Sequence, residues 1–193
     1  MSENDTARSI LLSARRLLDD GGADAVSMRK VAQQVGVTAM AIYRHFPDHA
    51  ALMNAVAEQG FAELAGIMRH LELGHGGTEG LVQVADAFIE YALANPRLFE
   101  LMFFTKRPGA RRFPRDFKAG LSPTANLFAA AFEQGVRSGE FIDADPWEVT
   151  FETGALLQGL IMLYLGDRFE GGAEEFRLFC QRSLRRYIHG IRA

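Results

Sequence analysis

The sequence predicts an all-α protein with a three-helix N-terminal head and a larger helical body. Three segments support this class, because Asn95-Pro96, Ser122-Pro123 and Asp145-Pro146 each place a capping residue before a proline at the first helical position. Apolar residues recur every three or four positions, and no segment has the alternation expected of a strand. At 193 residues and 48% hydrophobic composition, the chain can bury a sizeable core.

The first helix is predicted over about residues 5–19. Its apolar side chains fall on one face, made of Ala7, Ile10, Leu11, Ala14, Leu17 and Leu18. The Gly21-Gly22 pair ends the helix. We expect this face to support the two helices that follow.

Two short helices joined by a tight turn are predicted within residues 26–46, VSMRKVAQQVGVTAMAIYRHF. Ser27 is a good N-cap for the first of them. Gly36 suits the left-handed position that ends it, because glycine has no Cβ to clash there. Thr38 caps the second helix, and Pro47 limits it to about two turns because proline disfavours helical geometry in the preceding residue.

The charges and small residues of these two helices indicate a nucleic-acid contact. Arg29 and Lys30 occupy the first turn of a helix, where the dipole disfavours cations unless an anion such as a phosphate lies nearby. The second helix is predicted to expose Thr38, Ala39, Met40, Ala41, Tyr43, Arg44 and His45. This is the arrangement of a helix-turn-helix, whose second helix enters the major groove. An ordinary helical hairpin with a solvated face is the alternative.

The same stretch resembles the DNA-binding region of the TetR family of transcriptional regulators. The match consists of Ser27, Arg29, Val31-Ala32, Gly36-Val37 and Tyr43-Arg44-His45-Phe46. It covers about the first quarter of the chain and departs at His49, where the family commonly has a phosphate-binding lysine. The contact at His49 is therefore expected to be weaker and pH-dependent, since imidazole is mostly neutral near pH 7.

The resemblance implies a regulator of transcription, most often a repressor, that binds double-stranded DNA and is not an enzyme. Phosphate contacts are expected from Ser27, Arg29, Tyr43, His45 and His49, and base contacts from Thr38, Ala39, Met40 and Arg44. Met28 belongs to the same predicted DNA-binding set. A single recognition helix covers only a few base pairs, so we expect a palindromic operator and a dimer.

Three domains are predicted along the chain. They are a helix-turn-helix domain at residues 1–47, a connecting helix at 48–73, and a helical ligand-binding and dimerisation domain at 74–193. The glycine-rich stretch 74–80, GHGGTEG, predicts the boundary between the last two. Body helices are expected at about residues 78–94, 96–104, 122–138, 145–165 and 173–191.

Aromatic residues in the body predict an apolar cavity for a moderately hydrophobic small-molecule effector. The predicted lining is Phe88, Tyr91, Phe99, Met102, Phe103, Phe128 and Phe132, with Gln158 as a polar partner. Simple filling of a core is the alternative for any one of them. The run from Tyr91, YALANPRLFELMF, loosely resembles the ligand-binding half of some TetR regulators, which supports a pocket without naming its effector.

The last two helices predict a homodimer through a four-helix bundle. The predicted interface is Gly154, Leu156, Gly159 and Leu163 on the first helix, with Phe176, Cys180, Leu184 and Tyr187 on the second. The small residues permit close approach of two backbones, and the second set forms one continuous stripe. Burial of that stripe inside a single chain is the alternative.

The basic segment 106–118, KRPGARRFPRDFK, is predicted to be a solvated, mobile loop. Attraction of an acidic ligand or of the DNA backbone is the alternative for this segment. A second alternative concerns the whole chain, which could be a helical interaction module with a degenerate head that does not read DNA.

Catalytic and metal-binding motifs are missing from the sequence, so no enzyme, cofactor or metal is expected. The five histidines are scattered, and no HExxH, CxxC or glycine-rich phosphate loop occurs. Glu148 and Glu152 lie one helical turn apart, which is commoner for an exposed pair than for metal ligands. No signal peptide or membrane-spanning run is present, so a cytoplasmic location is expected.

Overall fold

The computed structural model describes residues 3–71 and 77–193, and over these residues the fold is all-α, as predicted. Ten helices occur within these ranges: α1 Glu3–Gly21, α2 Met28–Val35, α3 Ala39–His45, α4 His49–Arg69, α5 Gly77–Ala94, α6 Pro96–Phe103, α7 Arg115–Lys118, α8 Pro123–Arg137, α9 Pro146–Leu165 and α10 Ala173–His189. A short 3-10 turn, Ala23–Ala25, joins α1 to α2. None of the helices in this part of the chain is long and apolar enough to cross a membrane.

The three proline-started helices begin where the sequence predicts. Asp145 caps α9 with its carboxylate, which accepts a hydrogen bond from the Trp147 amide over 2.9 Å. Asn95 and Ser122 make no such bond at α6 and α8. Asn95 instead accepts a 2.6 Å hydrogen bond from Nη2 of Arg15 on α1. The fixed backbone of proline is therefore the signal shared by all three starts.

The chain divides into two compact units. The first unit contains the residues up to Phe61 together with Asn95–Ala110, and the second contains Ala62–Ala94 together with Arg111–Ala193. Helix α6 thus belongs to the same unit as the head. This grouping differs from the three predicted domains, 1–47, 48–73 and 74–193, and those domain boundaries stay a prediction. Within the glycine-rich stretch 74–80, residues 74–76 lie outside the described residues, and Gly77–Gly80 form the first turn of α5.

In the first unit, α1 supports the two motif helices as its apolar face predicts. Its Ile10, Ala14 and Leu18 are almost completely buried, as are Val31 of α2 and Ile42 of α3. A 2.7 Å hydrogen bond from Ser13 Oγ to Oε1 of Gln34 ties α1 to α2. Helix α6 is tied to the same scaffold, because Arg97 donates to the Asp19 carbonyl oxygen over 2.7 Å.

The second unit is built on α5, α8, α9 and α10, with aromatic side chains in its interior. Phe88 of α5 meets Phe128 of α8 edge to face at 6.0 Å, and Phe132 stacks on Phe141 at 5.4 Å. Polar pairs join α5 to α10 along their lengths: Glu79 with Arg185 at 2.9 Å, Asp86 with Gln181 at 2.7 Å, and Glu90 with Arg177 at 2.6 Å. These pairs set the register of the two helices.

The basic segment 106–118 differs from the solvated loop that the sequence predicts. It contains the short helix α7, and several of its cations bind neighbouring groups of the protein. Arg111 donates to the Leu121 carbonyl oxygen over 2.7 Å, and Lys118 pairs with Asp145 over 2.7 Å. Hydrogen bonds from the Arg115 side chain and the Arg112 amide lower the pKa of Asp116 to about 2. The charges of Arg111, Arg115 and Lys118 therefore serve the local fold.

Candidate nucleic-acid interface

The predicted caps and turn of the helix-turn-helix are confirmed. Ser27 Oγ accepts from the Lys30 amide at 3.2 Å, and Thr38 Oγ1 accepts from the Ala41 amide at 3.2 Å. Gly36 adopts the left-handed conformation, with φ 74° and ψ 31°, that ends α2. A side chain at this position would be strained, so the glycine allows the sharp turn into α3. Each capping hydroxyl still has its own proton to donate outward.

Helix α3 has one buried side and one exposed side. Ile42 is fully buried against the scaffold. On the opposite side Met40 is 69% exposed and Tyr43 is 47% exposed. Thr38, Ala39 and Arg44 are also exposed, whereas His45 is half-buried. The structure thus brings the predicted base-contacting residues together on the outer surface of α3.

The cations of α2 and α3 have different roles. Arg29 and Arg44 are exposed, and within residues 3–71 and 77–193 their side chains form no hydrogen bond or ion pair. Lys30, in contrast, donates from Nζ to the Ala25 carbonyl oxygen at 3.2 Å and so holds the turn before α2. Folding thus accounts for the position of Lys30 without the anion that the sequence predicts there. The anion site at the start of α2 therefore depends on Arg29.

The structure corrects one predicted DNA-binding residue, Met28, and adds a condition to another, His49. Met28 is only 8% exposed and packs in the core of the head, so its side chain is not available to DNA. His49 places Nε2 3.1 Å from the Val26 carbonyl oxygen. When the neutral imidazole donates from Nε2, its other nitrogen is an acceptor and cannot donate to a phosphate. His49 therefore requires protonation to bind the backbone of DNA while it keeps this internal bond.

The predicted effector-binding residues are divided between the two units. Phe99, Met102 and Phe103 lie in the first unit, where Phe103 meets Phe61 of α4 at 5.1 Å. Helix α6 approaches α4 so closely that a Cβ built on Gly60 would lie 2.6 Å from the Met102 sulfur. The other five belong to the second unit: Phe88, Tyr91, Phe128, Phe132 and Gln158.

Among those five residues, the aromatic side chains are buried and Gln158 is half-buried. The Tyr91 hydroxyl donates to Oε2 of Glu63 over 3.0 Å. Thr150, on the same helix as Gln158, has a buried hydroxyl oxygen with no hydrogen-bond partner among the described residues. Buried polar atoms are normally paired, so this hydroxyl is a candidate contact for a bound molecule.

A small surface cleft lies elsewhere in the second unit. Its volume is about 170 Å³, and it is lined by Thr78, Arg185, Ile188, His189 and Arg192. Arg185 already pairs with Glu79, and Arg192 lies 3.5 Å from Glu140. The cleft is smaller than the roughly 300–1,000 Å³ typical of ligand pockets. These features make it a poor candidate for an effector site.

The predicted dimer interface needs correction on α10. Phe176, Cys180 and Leu184 are at most 1% exposed and pack inside the second unit of their own chain. Tyr187 is half-buried, and its hydroxyl donates to Glu152 over 2.6 Å. The regular stripe is therefore internal core, which was the alternative interpretation. Burial raises the pKa of the Cys180 thiol to about 12.

Helix α9 keeps a different apolar surface available. Gly154 and Leu156 are half-buried, while Gly159 is exposed and Leu163 is 54% exposed. Two further exposed apolar side chains of this helix, Phe151 at 46% and Met162 at 55%, are not part of the predicted interface, and the Phe151 ring also stacks on Phe113 at 4.4 Å. We call the set Phe151, Ala155, Gly159, Met162 and Leu163 the α9 face. Phe151, Ala155, Gly159 and Met162 are spaced three or four residues apart, which places them on one side of the helix, and Leu163 follows Met162 at its edge.

Comparison with known proteins is consistent with this architecture. Residues 10–56 match the family model described as bacterial regulatory proteins, tetR family. Residues 81–187 match the model described as tetracyclin repressor-like, C-terminal domain. The two matches together include the head and most of the second unit.

Individual relatives are more distant. The chain is 27% identical over 157 residues to the tetracycline repressor protein class A from transposon 1721 of Escherichia coli, a match that covers 78% of this chain and 65% of that protein. The chain spans 58–65% of the length of the curated relatives that it matches first. Biochemical properties of those relatives therefore do not transfer directly to this chain.

Solved structures show the same fold. A protein with unknown function from Rhodococcus sp. RHA1 superposes with a TM-score of 0.77 at 23% identity, covering 97% of this chain and 96% of that one. A TetR-family transcriptional regulator from Pectobacterium atrosepticum superposes with a TM-score of 0.73 at 20% identity, covering 99% and 96%. At these identities the likeness concerns the fold alone.

Proposed function

This chain belongs to the TetR family of transcriptional regulators, and we propose that it is a repressor that binds a palindromic operator as a homodimer. TetR-family members are DNA-binding regulators and not enzymes. The observation that carries the proposal is the outer surface of α3, where Arg44 is exposed without a protein partner among the described residues. Arg29 has the same property at the start of α2.

The proposed contacts follow from the chemistry and exposure of each side chain. Arg29 and the Ser27 hydroxyl bind phosphates at the start of α2, where backbone amides and the helix dipole also favour an anion. Tyr43, His45 and His49 bind further phosphates around α3 and at the start of α4. Thr38, Ala39, Met40 and Arg44 face base edges, with Arg44 placed to bind a guanine through two hydrogen bonds.

Effector binding is assigned to the second unit. The proposed ligand is a moderately hydrophobic small molecule held among Phe88, Tyr91, Phe128 and Phe132, with polar contacts to Gln158 and the unpaired Thr150 hydroxyl. The name of the Escherichia coli relative, a tetracycline repressor protein, supports a small organic effector in this family. The aromatic side chains are packed in this structure, so a ligand would select a conformation in which they separate.

The proposed response to the effector is a population shift. Helix α4 contributes residues to both units, since the division between the units falls after Phe61. A ligand that favours one conformation of the second unit can therefore change the position of the head through α4, and so release the operator. Effector and operator must then weaken each other's binding by the same factor.

The proposed dimer forms through the α9 face. Apolar side chains such as Met162 and Leu163, each more than half exposed, would be covered by the same surface of a second copy. The exposed Gly159, one helical turn before them, would let two backbones approach closely. Two heads would then contact two half-sites of one operator.

Enrichment of bound duplexes from a random pool tests the DNA-binding proposal. The purified protein is expected to enrich a palindromic sequence, and its affinity for that duplex should fall steeply with salt because phosphate contacts release counterions. If the protein enriches no sequence and binds duplexes only weakly at low salt, the alternative holds, and the chain is a helical interaction module with a degenerate head.

A screen of small molecules by thermal shift tests the effector proposal. A molecule that stabilises the protein should also lower its affinity for the operator, and the operator should lower the affinity for that molecule by the same factor.

A further inference from the structure

We infer that each operator half-site contains a thymine whose C5-methyl group packs against Met40, about two base pairs from the guanine assigned to Arg44. This inference rests on the proposed function. It adds the chemical identity of the bases that α3 selects.

The first observation is the exposure of Met40. At 69% it has the highest exposed fraction among the large hydrophobic side chains of the described residues. Its neighbours in the chain, Ala39 and Ala41, are small, so the long thioether side chain projects beyond the surface of α3. Methionine is flexible and polarizable, which suits contact with an apolar group in a groove.

The second observation is the inventory of side chains on the exposed surface of α3. This surface consists of Thr38, Ala39, Met40, Tyr43 and Arg44. It has no asparagine or glutamine to bind adenine through two hydrogen bonds, and no aspartate or glutamate to accept from the cytosine amino group. What remains is an arginine, which suits guanine, two hydroxyl groups, which select no single base, and apolar groups, which suit the thymine methyl.

The spacing of Met40 and Arg44 gives the distance between the two bases. Residues four apart on an α-helix lie on the same side and are separated by about 6 Å along its axis. Base pairs in duplex DNA are stacked at about 3.4 Å. A helix lying along the major groove would therefore place Met40 about two base pairs from the guanine bound by Arg44.

The test uses the full-length protein and the duplex that it enriches from a random pool. Each thymine of the half-site is replaced in turn by uracil, which removes only the C5-methyl group. At the thymine that contacts Met40, the substitution should weaken binding about fourfold per half-site, because that is the effect of losing one buried methyl group. The same substitution should have no effect on Met40→Ala, whereas Met40→Leu should keep the sensitivity to uracil.

Leu121→Ala provides a matched control, because Leu121 is 58% exposed and lies in the second unit. This variant should show the same uracil sensitivity as the parent. If the parent enriches a sequence but tolerates uracil at every position, or if Met40→Ala keeps the sensitivity, Met40 does not read a thymine and this inference is overturned alone. If the parent enriches no sequence, the proposed DNA-reading function is overturned together with it.

Discussion

Arg107 donates a hydrogen bond from Nη1 to Oδ1 of Asn54 over 2.5 Å, joining the segment after α6 to the first half of α4. The same nitrogen donates to Oε1 of Glu58 over 3.1 Å, and the guanidinium carbon lies 5.3 Å from the centre of the Phe61 ring. The Arg107 side chain is 5% exposed. A buried cation with these partners holds α4 in the first unit by hydrogen bonds and by its contact with an aromatic ring.

Arg107→Met is expected to lower the free energy of unfolding by about 1–3 kcal/mol, because it removes two hydrogen bonds that a charged, buried guanidinium donates to part-buried side chains of α4. Urea denaturation followed by circular dichroism measures the change. Arg112→Met is the control, since Arg112 is an exposed residue of the same basic segment. It should change stability by less than about 0.5 kcal/mol. If Arg107→Met and the parent have the same free energy of unfolding, the contacts of Arg107 make no net contribution to stability.

Cys180 is predicted to be unreactive in the folded protein. Burial raises the pKa of its thiol to about 12, so the reactive thiolate is scarce at neutral pH, and the side chain is 0% exposed. Iodoacetamide at pH 8 should modify it only after denaturation, as followed by mass spectrometry. Rapid modification of the native protein would contradict the assignment of Cys180 to the core of its own chain.

The contrast between α9 and α10 shows where sequence periodicity stops being informative. A stripe such as Phe176, Cys180 and Leu184 has the same spacing whether its own chain or a partner covers it. Which of the two occurs depends on long-range packing, here against α5 and α9. The proline-started helices and the capped motif were predictable because their signals are local, as at Ser27 and Gly36.

The head shows the same limit for single side chains. The sequence alone suggests that the first turn of α2, which contains Met28 and Lys30, is exposed. In the structure Met28 is buried, and Lys30 binds the Ala25 carbonyl oxygen. The Ala25 carbonyl oxygen belongs to the turn before α2, so the pattern of α2 alone does not contain the contact of Lys30. Helix α7 was missed because a four-residue helix is too short to show periodicity.

Leu163→Arg is expected to convert the proposed dimer into a helical monomer. A guanidinium placed on the α9 face would be buried without a partner in a dimer, but would be solvated in a monomer. Sedimentation at micromolar concentration measures the change, and operator affinity should fall with it. Leu121→Arg, an equally exposed site of the second unit, should leave the assembly intact. A parent that sediments as a monomer and still binds a palindromic duplex tightly would refute the dimer.

His49→Lys is expected to strengthen DNA binding at pH 7.5. Lysine offers three donors on a permanent charge, whereas a His49 ring that donates from Nε2 to the Val26 carbonyl oxygen has only its other nitrogen left for a phosphate. The dependence of log affinity on log salt concentration should become steeper by about 0.9 per half-site, the value for one added phosphate contact. An unchanged salt dependence would place residue 49 away from the DNA backbone.

The central claim is that α3 reads base sequence, and the affinity of Arg44→Ala for the enriched operator and for a random duplex tests it most directly. Fluorescence anisotropy should show a loss of about 1–3 kcal/mol for the operator and a much smaller loss for the random duplex. Arg112→Ala controls for the loss of one positive charge outside the head. Should Arg44→Ala bind both duplexes as tightly as the parent does, α3 does not read bases through Arg44 and the account is contradicted.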